Sequence, residues 1–158
     1  MTGAPGWRIV VGCDDAGLAY KERIKADLLA DPRVAVVDDL GVHEGETTAY
    51  PHIGLAAARK VAAGEADRAV LVCGTGIGMA ISANKVPGVR ATTAHDSFSV
   101  ERCVKSNNCQ VLTLGQRVIG VELARRLVGE WLGYEFDPAS ASAEKVAVLD
   151  AYEGRRCD

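Results

Sequence analysis

Six consecutive residues, Cys73-Gly74-Thr75-Gly76-Ile77-Gly78, carry the most suggestive chemistry in the chain: a thiol followed by alternating glycines. Glycines at this spacing let backbone N–H groups converge on an anion, and a helix starting just beyond them adds its positive end. The same setting can favour a thiolate, which makes Cys73 a candidate base or nucleophile. The plain alternative is a small buried apolar residue, the usual fate of a free cysteine. The anion could be a phosphate or an oxyanion formed only during reaction. G-x-G-x-G is not the G-x-G-x-x-G of dinucleotide sites, and Asp14-Asp15 would repel a pyrophosphate. No cofactor is expected.

Other chemistry-bearing residues fall at matching places. Asp14 and Asp15 follow a short apolar run, where a carboxylate can accept hydrogen bonds from sugar hydroxyls. Asp15 also suits the N-cap of the next helix. In His95-Asp96-Ser97, Asp96 suits a cap, and His95 has the pKa range for moving a proton on a substrate oxygen. Asn107 offers a side-chain amide and Arg117 a fixed cation, each with an ordinary structural role as its alternative. His43 and His52 fit a loop and a helix start, and the absence of G-x-S-x-G argues against a serine hydrolase.

These residues need elements to hold them. Apolar runs at Arg8 to Gly12, Val34 to Val37, Arg68 to Cys73, Val89 to Thr93 and Gln110 to Leu114 predict five strands. Helical spacing predicts helices over Leu18 to Ala30, Tyr50 to Ala63, Gly78 to Lys85, Ser97 to Ser106 and Gly120 to Leu132, with a last one from about Ser142 to Tyr152. Strands alternating with helices predict one α/β domain spanning 1–158, with a doubly wound parallel, Rossmann-like sheet. Ligands in such sheets bind beyond the carboxyl ends of the strands, where Asp14, Asp15, Cys73 to Gly78, His95 and Arg117 are placed.

Composition narrows the partners. The 158 residues include 18 Lys+Arg against 21 Asp+Glu, a net charge of −3, and 48% hydrophobic residues. That is enough apolar material for a core, with no basic field for nucleic acid or an anionic membrane. Five cysteines without a CxxC pair, and three scattered histidines, provide no metal-ligand spacing and predict reduced thiols. Met1 to Trp7 lacks the apolar stretch of a signal peptide, and no run is long enough to span a membrane. A cytoplasmic protein is expected.

Val11-Gly12-Cys13-Asp14, Tyr50-Pro51-His52, Cys73 to Gly78, Ala83 to Arg90 and Leu114-Gly115-Gln116-Arg117 together resemble type B ribose-5-phosphate isomerases and the related galactose-6-phosphate isomerase subunits. The likeness runs in order from about Arg8 to Tyr152. It implies a three-layer α/β/α domain that forms a homodimer, or a dimer of dimers, with each active site built from both subunits and the C-terminal helix packed on the partner. It also implies metal-free interconversion of aldose and ketose phosphates. Cys73 then matches the base that moves a proton between two carbons, and Thr75 a hydroxyl that helps move one between oxygens. The amides of Gly74, Gly76, Ile77 and Gly78 match the enediolate pocket, Asp14 and Asn107 match substrate contacts, and Arg117 an arginine near the substrate.

The sequence departs from that pattern in three places. Asp15 stands where the family usually has a phosphate-binding histidine, and Ser106 where it has a ring-opening one. The usual C-terminal arginine pair falls near Ala141 and Lys145, leaving Ser140, Ser142 and Lys145 as substitutes. A tetrose 4-phosphate cannot close a furanose ring, because its 4-oxygen carries the phosphate. The resemblance therefore implies either the ribose/ribulose 5-phosphate pair, with His95 as a replacement ring opener, or the erythrose/erythrulose 4-phosphate pair, which the departures favour. The alternative is a sugar-phosphate-binding or regulatory module without catalysis.

Overall fold

A computed structural model describes residues 6–156. Residues 1–5 and Cys157, which figured in the reading of the N-terminus and the thiols, lie outside the described residues. The strands are β1 (Trp7–Cys13), β2 (Val34–Asp39), β3 (Arg68–Cys73), β4 (Ala91–Thr93) and β5 (Val111–Gly115). The helices are α1 (Leu18–Ala30), α2 (Tyr50–Ala62), α3 (Ile77–Asn84), α4 (Ser97–Lys105), α5 (Val121–Trp131) and α6 (Ser142–Arg156). The five strands form one parallel sheet in the order β2-β1-β3-β5-β4.

The centre of the sheet is its most apolar part. Every residue of β3 and β5 is buried, as expected of parallel strands covered on both faces. Helix α2 packs beside α3, while α1 and α4 pack against α5, giving the α/β/α layering. Leu71, Leu112, Leu127 and Trp131 are fully buried between the layers. Arg68 is buried with them, its guanidinium 4.0 Å from the Trp7 ring and 4.9 Å from that of Trp131. It donates to the carbonyls of Trp131 and Tyr134, which offsets the cost of taking a cation out of water.

Chain direction reverses its spread across the sheet between β1 and β3, which is where doubly wound folds bind ligands. Cys13 pairs in register with Val72, so the residues just past both strands emerge side by side. Asp14 and Cys73 therefore share one crevice.

Several ends differ from the sequence reading. β4 starts at Ala91 rather than Val89, because Val89 N–H turns back to the Val86 carbonyl at 3.2 Å and Gly88 adopts φ +85°. Asp15 does not cap α1. Instead a 3-10 turn, Asp15–Gly17, intervenes, and Asp14 caps it by accepting from Gly17 N–H at 3.2 Å. Asp96 does cap α4, accepting from Ser99 N–H at 2.7 Å. Helix α6 continues to Arg156 and docks on its own chain: Val146 is buried, Asp150 pairs with Arg90 at 2.9 Å, and Glu153 accepts from Gly88 N–H.

Candidate active site

The loop between β3 and α3 fixes the sulfur. Gly76 adopts φ +81°, a left-handed conformation, and a Cβ there would lie 3.0 Å from the Leu114 backbone. That bend brings Gly76 N–H to 3.1 Å from Cys73 Sγ, a donor placed where it would hold negative charge on sulfur. Ile77 N–H likewise donates to Thr75 Oγ1 at 3.2 Å. The amides of Gly76 and Ile77, read in sequence as part of an anion pocket, are thus committed to the loop's own side chains. Those of Gly78 and Met79, in the first turn of α3, have no carbonyl four residues back within the helix and remain suited to an oxyanion.

Cys73, only 4% exposed, nevertheless lines an open cavity of about 370 Å³. Asp14, Gly74, Thr75, Gly78 and Arg117 share its wall. The missing side chain at Gly74 lets Arg117 lie over the loop: a Cβ there would be 3.3 Å from its guanidinium. Arg117 N–H also donates to Gly74 O at 3.0 Å, so the cation and the loop are fixed to each other. Burial raises the Asp14 carboxyl, helped by neighbouring Asp15, against the pull of nearby backbone amides.

Tyr50, Ile77 and Ile81 supply the cavity's apolar wall. Sequence reasoning gave Tyr50 and Ile81 no role. Tyr50 is held by the start of α2, where Pro51 is pre-shaped for a first turn, and its ring occupies the space over Gly78 that a Cβ would take at 2.5 Å. Its sequence signals were its place between a polar loop and a helix start and its part in the Tyr50-Pro51-His52 run.

The remaining candidates do not line this cavity. His95 Nε2 accepts from Gly115 N–H at 2.9 Å, and burial lowers its pKa against a small opposing effect of Asp96. That ring nitrogen is committed to the end of β5. Asp15 is exposed on the 3-10 turn. Asn107 lines a separate cavity of about 490 Å³ with Arg90, Arg102 and Leu149. Ser140 and Ser142 are half-buried at the start of α6, and Lys145 is exposed on it. One chain therefore brings Cys73, Thr75, Asp14, Gly74, Gly78 and Arg117 to one cavity, with His95 bonded to Gly115 beside Cys73 and Asn107 facing another cavity.

The described residues contain no group of three or more His, Cys, Asp or Glu able to hold a metal ion, and no helix long and apolar enough to cross a membrane.

A family model described as Ribose/Galactose Isomerase matches residues 9–149. D-erythrulose-4-phosphate isomerase 2 of Mycolicibacterium smegmatis is 63% identical over 148 residues, covering 93% of this chain and 97% of that protein. Ribose-5-phosphate isomerase B of Escherichia coli is 38% identical over 149 residues, covering 94% and 98%. The solved structure of Clostridium thermocellum ribose-5-phosphate isomerase B superposes with a TM-score of 0.87 at 38% identity, covering 94% of this chain and 99% of that one. With the thiol, the glycine loop and the sheet in the arrangement described, the chain belongs to the Ribose/Galactose Isomerase family and is an aldose–ketose isomerase.

Proposed function

We propose that the sugar phosphate on which this isomerase acts is a tetrose 4-phosphate, the D-erythrulose/D-erythrose pair. The observation that carries this reading is the 63% identity, over nearly the whole chain, to a D-erythrulose-4-phosphate isomerase. Ser106 at the place where the resemblance leads one to expect a ring-opening histidine supports it, since a tetrose 4-phosphate has no furanose ring to open.

In this reading Cys73 is the base. Its thiolate takes the proton from the carbon next to the carbonyl, and the electron pair left behind moves onto the carbonyl oxygen as an enediolate. The amides at the start of α3 hold that oxygen, Thr75 helps pass a proton between the two oxygens, and Cys73 returns its proton to the neighbouring carbon. A positioned base of this kind contributes about 10²–10⁴-fold, and one preorganised oxyanion donor about 10²–10³-fold. Asp14 accepts from substrate hydroxyls, and Arg117 holds the anion.

The enzyme works as a homodimer, and Asn107 of the partner subunit completes each site. Two features support this: Asn107 and Cys73 line different cavities within one chain, and exposed Ile77 and Ile81 stand at the rim of the Cys73 cavity. Ser140, Ser142 and Lys145 are the proposed phosphate contacts, and the free cysteines among the described residues fit a reducing, cytoplasmic setting.

The test is interconversion across aldose and ketose phosphates of four, five and six carbons, with kcat/KM compared. The account expects the erythrulose 4-phosphate pair to lead. A lead by the ribose 5-phosphate pair would overturn the substrate assignment. Stabilisation by these phosphates without any turnover would mean a binding module instead.

A further inference from the structure

A second pair of sulfurs lies outside the Cys73 cavity. Cys103 is in the last turn of α4, and Cys109 precedes β5. Between them the helix ends at Ser106, and the chain turns through Asn107 and Asn108, the latter at φ +50°. That turn brings Cys109 N–H to 2.9 Å from the Cys103 carbonyl. With standard bond lengths, such a hydrogen bond keeps the two Cα atoms within about 6 Å, inside the range a disulfide spans.

The side chains share a cavity as well. Both residues line the 490 Å³ cavity beside Arg90 and Asn107, each retaining slight exposure of 5% and 7%, and the Cys103 thiol donates to the Val100 carbonyl at 3.1 Å. The neighbouring Cys109 holds the Cys103 thiol below its ordinary range, and the Arg68 guanidinium adds to this against the effect of burial. Cys109 is pushed up by Cys103 and by burial. Cys13 is raised by burial to about 11 and donates to the Val42 carbonyl.

We infer that Cys103 and Cys109 are a peroxide-sensitive dithiol that closes reversibly into a disulfide and reshapes the turn carrying Asn107. The Cys103 thiolate attacks one oxygen of hydrogen peroxide; the O–O bond breaks, an S–O bond forms, and the departing hydroxide takes up a proton to leave as water. The Cys109 sulfur then attacks the sulfenyl sulfur, the S–O bond breaks, the S–S bond forms, and a second water leaves with the thiol proton. The two sulfurs give two electrons and the peroxide accepts them. A dithiol reductant restores both thiols. The cross-link rests on geometry alone, whereas its effect on turnover rests on the proposed role of Asn107 in the substrate site.

The sequence makes the test direct, because trypsin cuts after Arg102, Lys105 and Arg117 and so separates the two cysteines into peptides 103–105 and 106–117. The full-length enzyme is treated with about one equivalent of hydrogen peroxide, alkylated, digested and analysed by mass spectrometry, with turnover measured in parallel. The expected result is a linked pair of these peptides, lighter by two hydrogens, that dithiothreitol separates. Turnover should fall several-fold in the wild type, recover with dithiothreitol, and be spared in Cys109→Ala or, should that variant not fold, Cys109→Ser. Loss of turnover through Cys73 oxidation would persist in those variants. Recovery of both cysteines alkylated, or of Cys103 as a sulfinic acid without a link, would overturn the dithiol. A link that leaves turnover unchanged would instead overturn the role given to Asn107.

Discussion

Replacing Gly115 by alanine tests whether the loop under Cys73 must sit where the structure places it. Gly115 ends β5, in register with Cys73 on β3. A Cβ on it would lie 2.7 Å from the Cα, C and O atoms of Thr75, whereas ordinary contact begins at 3.4 Å. All three atoms are backbone, so no flexible side-chain tip can yield. About 0.7 Å must come from moving the Cys73–Gly76 loop or the end of β5. Overpacking of this kind costs about 1–3 kcal/mol, so Tm should fall by roughly 2–10 °C. A displacement approaching an ångström in a catalytic group costs on the order of 10²-fold in rate. The assay pairs steady-state kcat with thermal unfolding, and Gly129→Ala is the control, because a Cβ at Gly129 in α5 meets nothing within 4 Å. That control should keep wild-type kcat and gain about 0.5–1 kcal/mol of stability from better helix propensity. If Gly115→Ala matches Gly129→Ala in both kcat and Tm, the close-packed loop is wrong.

Two other perturbations follow from charge. Burial would raise the Asp39 carboxyl, but hydrogen bonds from Lys25, Lys21 and the Gly41 N–H override it and hold the group at about 2, against a reference of 3.8. Being depressed in the folded state, it contributes full stability above its unfolded value, and that contribution is lost as pH falls from about 3.8 to about 2. After allowance for solvent screening this is about 1–2 kcal/mol. Thermal unfolding between pH 5 and 2 should show the loss in wild type and lack it in Asp39→Asn; equal slopes would refute it. Arg117→Met should lower kcat/KM by roughly 10- to 150-fold, mainly through KM, as expected for removing a charged hydrogen bond to a group distant from the reacting carbons. A change confined to kcat would place Arg117 at the reaction itself.

The parallel sheet was readable because β3 and β5 are nearly continuous apolar runs, interrupted only by Arg68 and Thr113, a pattern that buried parallel strands favour. Strand ends were less so. Val89 looks like strand, and only the reversal at Gly88 removes it from β4. Cys73 and its glycines were visible because a bend needing φ > 0 leaves a compositional mark, as Gly76 shows. What those amides do was not, since the donation from Gly76 to sulfur and from Ile77 to Thr75 depends on the folded loop. The exchange of capping duty from Asp15 to Asp14 is of the same kind: two adjacent acids offer the same chemistry, and the 3-10 turn selects between them. Cys73 closes β3 at its carboxyl end whereas Asn107 leads into the amino end of the neighbouring parallel β5, so within one chain they face different cavities.

The role of the Cys73 sulfur is tested most directly by running the reaction in deuterium oxide with wild type and Cys73→Ala, and following both turnover and deuterium at the carbon beside the carbonyl. The account predicts that wild type places solvent deuterium on that carbon. Cys73→Ala should lose both exchange and turnover by about 10²–10⁴-fold while melting near the wild-type temperature. A Cys73→Ala enzyme that turns over and exchanges at the wild-type rate would contradict it.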